Sequence, residues 1–399
     1  MNKFFKFAGI LICAVANLQF KMKHYPLLII IVGFVCCCSP KNNVPENTWK
    51  INIPDEIIFL SADSVFSSVD YIPLETTKES VMYKIDKMKI YESELYILDQ
   101  KKNVILVFDK TGKFIRKLDK KGRGPDEYIS IDDFFIHNSL IYVLSNASQK
   151  ILIYDIFFHL KKTYRTETFA HNFEYFGDKI FLYTNFSSPI RNNLYVFNME
   201  NGELLNTYKK YDQKQSGVSY TRTIFAKDEE CIYAAFPYDY NIYILDEKDE
   251  TVFITLDFGE KNMFPNELKY FSDDEKDNYK KSRYRNFFEM PIPDIDNLYV
   301  SKNLIYFTFI YHAFEYSLFY DRLHDITKFG YLENTANFPV AHSESLFIEN
   351  DCLYSYVLPE NALNQAEFYQ SRKESVPAIL TSLKPEDNPL ICIHRFSKK

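Results

Sequence analysis

The stretch Glu94-Leu95-Tyr96-Ile97-Leu98-Asp99, an aliphatic–aromatic couple heading an alternating apolar run, decides how the rest of the chain reads. The couple returns as Ile141-Tyr142, Ile180-Phe181, Ile232-Tyr233, Ile305-Tyr306 and Leu353-Tyr354. Most copies lead through a tight polar turn into a second alternating run. Successive aromatic members lie 39 to 52 residues apart, apart from one gap of 73 between Tyr233 and Tyr306. Short strands repeating at that period, with no helix between most of them, describe a β-propeller. Each repeat is a small sheet that buries its faces only against its neighbours. Six copies predict an all-β chain of six blades.

Around each couple four strands can be drawn. Blade one reads Lys84–Tyr91, Glu94–Asp99, Val104–Asp109 and Phe114–Leu118, with a hairpin turn at Asp109-Lys110-Thr111-Gly112. The sixth repeat offers only Ser345–Ile348, Cys352–Leu358 and Leu390–His394, one strand short. The strand left over at the other end, Tyr71–Glu75, supplies the fourth and closes the ring, which removes an open sheet edge. Pro73 suits that role, because an outermost strand tolerates a residue without an N–H. Two insertions of helical character interrupt the rhythm, at 260–293 and 359–388. The first carries the capping-box pattern Ser272-Asp273-Asp274-Glu275, which accounts for the long gap.

The N-terminus reads as a targeting segment. An apolar run, Leu27–Cys38, follows Lys21 and Lys23 and ends in Cys36-Cys37-Cys38 before polar Ser39-Pro40-Lys41. That run is shorter than a membrane span and suits a signal-peptide core. The arrangement resembles a bacterial lipoprotein signal, which implies acylation of Cys38, a membrane partner through that lipid, and a place in the envelope, with the outer membrane expected. Met22-Lys23 opens a complete signal by itself, making Met22 an alternative start. Residues 1–38 are thus assigned to the signal, 39–55 to a linker and 56–399 to the propeller. Removing 1–37 takes away four lysines and no acid, leaving 43 basic against 54 acidic side chains. Such an acidic balance argues against a nucleic-acid partner. Aromatic content is 17%, in keeping with strands whose rings pack between blades. Cys231, Cys352 and Cys392 are far apart and odd in number, reading as buried thiols rather than a disulfide framework.

Three segments carry a resemblance: Tyr71-Ile72-Pro73-Leu74-Glu75-Thr76, then Phe108-Asp109-Lys110-Thr111-Gly112-Lys113-Phe114, then Gly122-Arg123-Gly124-Pro125-Asp126-Glu127-Tyr128. In this order they resemble the six-bladed β-propeller lipoproteins of Bacteroides and relatives and, more distantly, NHL-type propellers. The resemblance runs from about Asp55 to the C-terminus. It implies fold and envelope location, and no biochemical activity.

No motif of metal-protease, phosphate-loop or paired-cysteine type occurs, and no cofactor is expected. Propeller topology puts inter-blade connections and second-to-third-strand connections on one face, here called the upper. Both insertions and the Gly122–Tyr128 loop belong there. The candidate binding residues for a glycan, peptide or protein partner are therefore Arg123, Asp126, Glu127, Tyr128, Tyr279, Arg283, Tyr284 and Tyr369. Two bland readings stand beside this one. The helices cover apolar surface, and the loop locks adjacent blades. The alternative function is a metal-dependent hydrolase or lactonase using channel carboxylates, with Asp132, Glu174, Asp296 and Glu344 as the ligand set. Asp294-x-Asp296-Asn297 is similar to part of a calcium loop but lacks its glycine and terminal glutamate.

Overall fold

Period-two apolar runs separated by polar turns leave each strand's backbone no partner but the adjacent run, so every repeat folds into an antiparallel sheet. The computed structural model describes residues 48–397 except 212–223, 238, 263–291, 293, 337–343 and 351. Three strands precede the repeats: β1 (Thr48–Lys50), β2 (Phe59–Ser61) and β3 (Phe66–Pro73). Blade one is β4 (Lys87–Tyr91), β5 (Glu94–Asp99), β6 (Val104–Asp109) and β7 (Phe114–Leu118). Blade two is β8 (Asp133–His137), β9 (Leu140–Ser145), β10 (Lys150–Asp155) and β11 (Leu160–Arg165). Blade three is β12 (Asn172–Phe176), β13 (Lys179–Tyr183), β14 (Asn192–Asn198) and β15 (Leu204–Lys210). Blade four is β16 (Phe225–Lys227), β17 (Ile232–Ala235), β18 (Asn241–Leu245) and β19 (Glu250–Asp257). Blade five is β20 (Asp296–Val300), β21 (Leu304–Tyr311), β22 (Phe314–Asp321) and β23 (Ile326–Glu333). Blade six holds β24 (Glu344–Glu349), β25 (Cys352–Val357) and β26 (Leu390–Phe396).

The fourth strand of blade six is β3, antiparallel to β26, with Pro73 opposite Leu390 and Val69 opposite His394. The ring is a closed six-bladed propeller, and the leftover N-terminal strand closes it. Phe66 anchors the seam: it is buried, with Phe319, His394 and Phe396 at ring-centroid distances of 6.1, 5.0 and 5.4 Å.

The reading of residues 39–55 as a linker is corrected at its C-terminal end. β1 pairs in parallel with β19 on the outer edge of blade four, and Ile51 and Ile53 are buried. The Trp49 ring sits 4.7 Å from Tyr320 and 6.1 Å from Phe307. The apolar alternation Trp49, Ile51, Ile53 is short enough to pass for linker, yet its burial is what orders it. β2 does the same for blade five by pairing in parallel with β23. The entering chain thus covers the edges of blades four and five before completing blade six.

Neighbouring blades are latched by a recurring contact, in which the outer strand of one holds the third-to-fourth-strand turn of the next. Arg116 Nε donates to the Ile156 carbonyl (2.9 Å), Tyr164 Oη to those of Met199 and Glu200 (3.0 and 2.7 Å), and Tyr208 Oη to that of Asp246 (2.8 Å). Across the closure the backbone serves instead: Glu75 N donates to the Gly112 carbonyl at 2.8 Å. Gly112 is needed twice over there. Its φ is +86°, and a Cβ would run into the Pro73 carbonyl.

The 359–388 insertion forms α1 (Pro359–Ser371) and α2 (Ala378–Ser382) between the second and third strands of blade six. Ala362, Ala366 and Leu380 pack on Val357, Leu390 and Cys392, with Val69 and Tyr71 of β3 beside them. Covering apolar surface is therefore what these helices do. Nearly all of the 260–293 insertion lies outside the described residues.

Candidate functional site

The first strand of each blade lines the central channel, a cavity of about 1920 Å³. Strand alternation decides which side chains meet there. In β4 it sends Lys87 and Lys89 out together, and in β8, β12 and β16 it presents Asp133, Glu174 and Lys227. These five form a network that spans four blades. Lys87 Nζ donates to Asp133 Oδ1 at 2.5 Å. Glu174 lies between two lysines, with Lys89 Nζ 3.1 Å from Oε2 and Lys227 Nζ 3.0 Å from Oε1. The ammonium of Lys227 also lies 3.3 Å from the centroid of the Tyr175 ring.

The carboxylates sit behind their partners and have further donors. Asp133 accepts from the backbone N–H groups of Phe134 (2.8 Å) and Phe173 (3.0 Å), and Glu174 accepts from that of Tyr175 (3.2 Å). Burial alone would raise the Glu174 pKa, but Lys89, Lys227 and Lys87 together pull it well below the usual carboxylate range. Burial lowers the Lys227 pKa, with Lys89 and Lys87 repelling it and Glu174 opposing the shift. Lys89 goes the other way: burial works against its charge, and Glu174 and Asp133 overcome it. On blade six, burial raises the Glu349 pKa while Lys89 tempers the rise. His137, at the lower end, has its ring 4.4 Å from Tyr175, and burial and Lys227 lower its pKa.

The described members of the proposed carboxylate ligand set, Asp132, Glu174 and Asp296, do not gather as a metal site. Glu174 is bonded to two lysines, and Asp132 Oδ2 accepts from Ser130 Oγ (2.7 Å) and Asn146 N (2.7 Å), shaping a turn. Asp296 starts β20, and of the Glu344 side chain nothing is described. Among the described residues no three histidine, cysteine or acidic side chains gather as metal ligands. The Asp294–Asp296 pair is a local electrostatic cost instead. Burial and the Asp296 charge push the Asp294 carboxyl up to about 7. Its folded pKa exceeds the unfolded value of 3.8, so the stability it lends is full below 3.8 and is lost as pH rises to 7. Asp294→Asn should therefore be more stable than the parent at pH 8, on the order of 2 kcal/mol, and show little gain at pH 4, as read by urea titration.

The Gly122–Tyr128 loop locks blades one and two. Tyr128 is fully buried; its Oη donates to the carbonyls of Asn103 (2.9 Å) and Leu118 (3.1 Å) and accepts from Lys120 N (3.0 Å). Glu127 Oε2 accepts from Gly124 N at 2.6 Å, and Asp126 pairs with Lys120 at 3.0 Å. The Asp126 carbonyl accepts from Tyr154 Oη of blade two at 3.0 Å. Tyr128 is therefore not available to a partner, its hydroxyl being consumed by backbone; Arg123 is exposed. Tyr369 is likewise not a contact residue: it is buried and donates to the Asn334 carbonyl at 2.7 Å, tying α1 to the connection after blade five. Tyr279, Arg283, Tyr284 and Cys38 lie outside the described residues.

Other upper-face side chains are exposed where the sequence singled out none. Tyr83, Ile129 and Phe169 stand on the connections entering blades one, two and three. Ile190 and Phe368 stand on the second-to-third-strand connections of blades three and six, and Ile310 near the end of the second strand of blade five. That both kinds of connection share a face is visible in Gln100 Nε2 donating to the Asp132 carbonyl (2.5 Å) and in Ile131 N donating to Asn103 Oδ1 (3.0 Å). The first-to-second-strand turns at the lower end of the channel carry Glu92, Asn138, Asp178, Glu229, Glu230 and Asn350, and the third-to-fourth-strand turns of that face expose Phe157 and Leu323.

Fold and channel define a closed six-bladed propeller whose central passage is braced by lysine–carboxylate pairs. Residues 51–395 match the model of a domain of unknown function, DUF4934, and the chain belongs to that family. The Bacteroides-type motifs quoted above agree with that membership. A crystal structure of a Bacteroides fragilis protein named as exported is similar in fold: TM-score 0.68, 18% identity, with 88% of this chain and 99% of that one covered. A Bacteroides vulgatus member of the DUF4221 family gives TM-score 0.51 at 12% identity, covering 84% and 97%. No curated protein matches significantly. Among the described residues no helix is long and apolar enough to cross a membrane.

Proposed function

We propose that this protein is a lipid-anchored propeller of the bacterial cell envelope that binds a glycan, peptide or protein partner at its upper face and carries out no catalysis. The observation that carries the reading is the contrast between the two ends of the channel. Exposed Tyr83, Ile129, Phe169, Ile190, Ile310 and Phe368 surround the upper end, while the first-to-second-strand turns that rim the lower end of the channel are polar and charged; exposed Phe157 and Leu323 stand farther out on that lower face, on third-to-fourth-strand turns. Aromatic and aliphatic side chains held on rigid connections supply contact area at little entropic cost, which is the usual make-up of a recognition surface. The anchor is supported by the Cys36-Cys37-Cys38 signal pattern and by the name of the exported Bacteroides fragilis relative.

The test combines two variants. Tyr83→Ala/Phe169→Ala/Phe368→Ala should weaken partner capture from envelope extract at least about tenfold with little change in melting temperature, since these rings are already exposed. Cys36→Ser/Cys37→Ser/Cys38→Ser should move the protein from the membrane to the soluble fraction. Undiminished capture by the first variant contradicts the binding face, and persistent membrane attachment of the second contradicts the anchor.

A further inference from the structure

We propose that the Lys87, Lys89 and Lys227 side of the channel is a seat for an anionic saccharide, one bearing carboxylate or sulfate groups; this rests on the binding reading above and names its ligand class. The ion pairs are layered. The lysine side chains keep 24, 31 and 29% of their surface open, whereas Asp133 and Glu174 keep 4 and 9%. On this side the cavity therefore meets ammonium, with the carboxylates behind it, although Asp86, Asp132, Asp228, Glu229 and Glu230 line other parts of the same wall. The five groups sum to one net positive charge, and ionisation of nearby Glu349 is disfavoured by burial. Two of the three ammonium groups share a single carboxylate and repel each other, an arrangement that an added anion relieves.

The rest of the wall fits a sugar. Half-buried Tyr299 and Phe347 line the same cavity, and rings of this kind offer flat apolar faces to a pyranose. The volume exceeds that of a drug-sized pocket and accommodates several sugar units. A lysine–carboxylate lattice is also a mechanical brace between blades, so the decisive question is whether the lysines accept an outside anion.

Calorimetry on the mature chain at low salt answers it with three probes: trigalacturonate, a sulfated galactotriose and neutral galactotriose. At least one acidic probe should bind and the neutral one should not; which acidic probe binds separates carboxylate from sulfate recognition. Raising the salt should weaken the binding. Glu174→Gln removes the competing carboxylate and should tighten binding about fivefold or more, its lowered melting temperature recovering on adding the probe. Lys89→Met/Glu174→Gln/Lys227→Met, which removes the charges together, should bind at least about tenfold more weakly than the parent. Failure of both acidic probes, or full binding by the triple variant, overturns the seat. Equal binding of the neutral sugar overturns the anionic seat while leaving a saccharide-binding propeller in place.

Discussion

A chain beginning at residue 74 should not fold cooperatively. It lacks β3, which contributes a full strand ladder to β26 from Phe66 opposite Phe396 to Pro73 opposite Leu390. It also lacks β1 and β2, which cover blades four and five. The exposed edge of β26 carries Leu390, Ile391 and Cys392, all fully buried in the intact protein. An edge of that composition pairs with other copies, so aggregation should accompany the loss of structure. The whole net stability of a domain is only about 5–15 kcal/mol, and removing a fourth of one blade with its seam exceeds what such a margin absorbs. A single substitution isolates the seam: Phe66→Ala, which empties a site between Phe319, His394 and Phe396, should cost about 3–5 kcal/mol by chemical denaturation. A truncated chain that melts like the parent would mean the ring is closed elsewhere.

Acid should loosen the same seam. His394 lies on β26 opposite Val69, fully buried, with Nε2 2.9 Å from Ser355 Oγ. Burial pulls its pKa from 6.5 down to about 3. The folded value is below the unfolded one, so the stability it contributes is complete above pH 6.5 and is lost as pH falls toward 3. At pH 5 the loss should be about 2 kcal/mol. His394→Gln cannot take up that proton and should show a correspondingly flatter stability between pH 7 and pH 5. Asp294 slopes oppositely over part of this range, which is why the comparison must be parent against variant. Identical pH dependence in both would show that His394 is already solvated or protonated in the folded chain.

The ring was legible because its signal is periodic. Six couples from Leu95-Tyr96 to Leu353-Tyr354 name the second strand of every blade, and each of those strands is where the alternation put it. Counting strands also exposed the closure, since the sixth repeat came up one short. Non-periodic features were harder. Three alternating apolar residues, Trp49, Ile51 and Ile53, are too few to separate a strand from a linker without knowing that the β19 edge awaits them. The channel was read through its acids, and Glu174 was found, but as a metal ligand. Its actual partners, Lys89 and Lys227, come from blades one and four, and no sequence spacing links them. One signal was present: Lys87-Met88-Lys89 alternates on an innermost strand, which sends two lysines to the same side. Tyr128, on a loop, and Tyr369, on an inserted helix, read in sequence as contact residues, whereas each hydroxyl pins one backbone segment to another.

Hydrogen–deuterium exchange mapped over the whole mature chain, with and without a saturating acidic trisaccharide, tests most directly the claim that the channel and its upper end are the working surface. Exchange should slow in 81–91, 129–137, 169–176 and 225–227, the upper connections and the innermost strands that carry Lys87, Lys89 and Lys227. Slowing confined to the outer edges β7, β11 and β15, or to the lower turns around Asn138 and Glu229, would contradict the account.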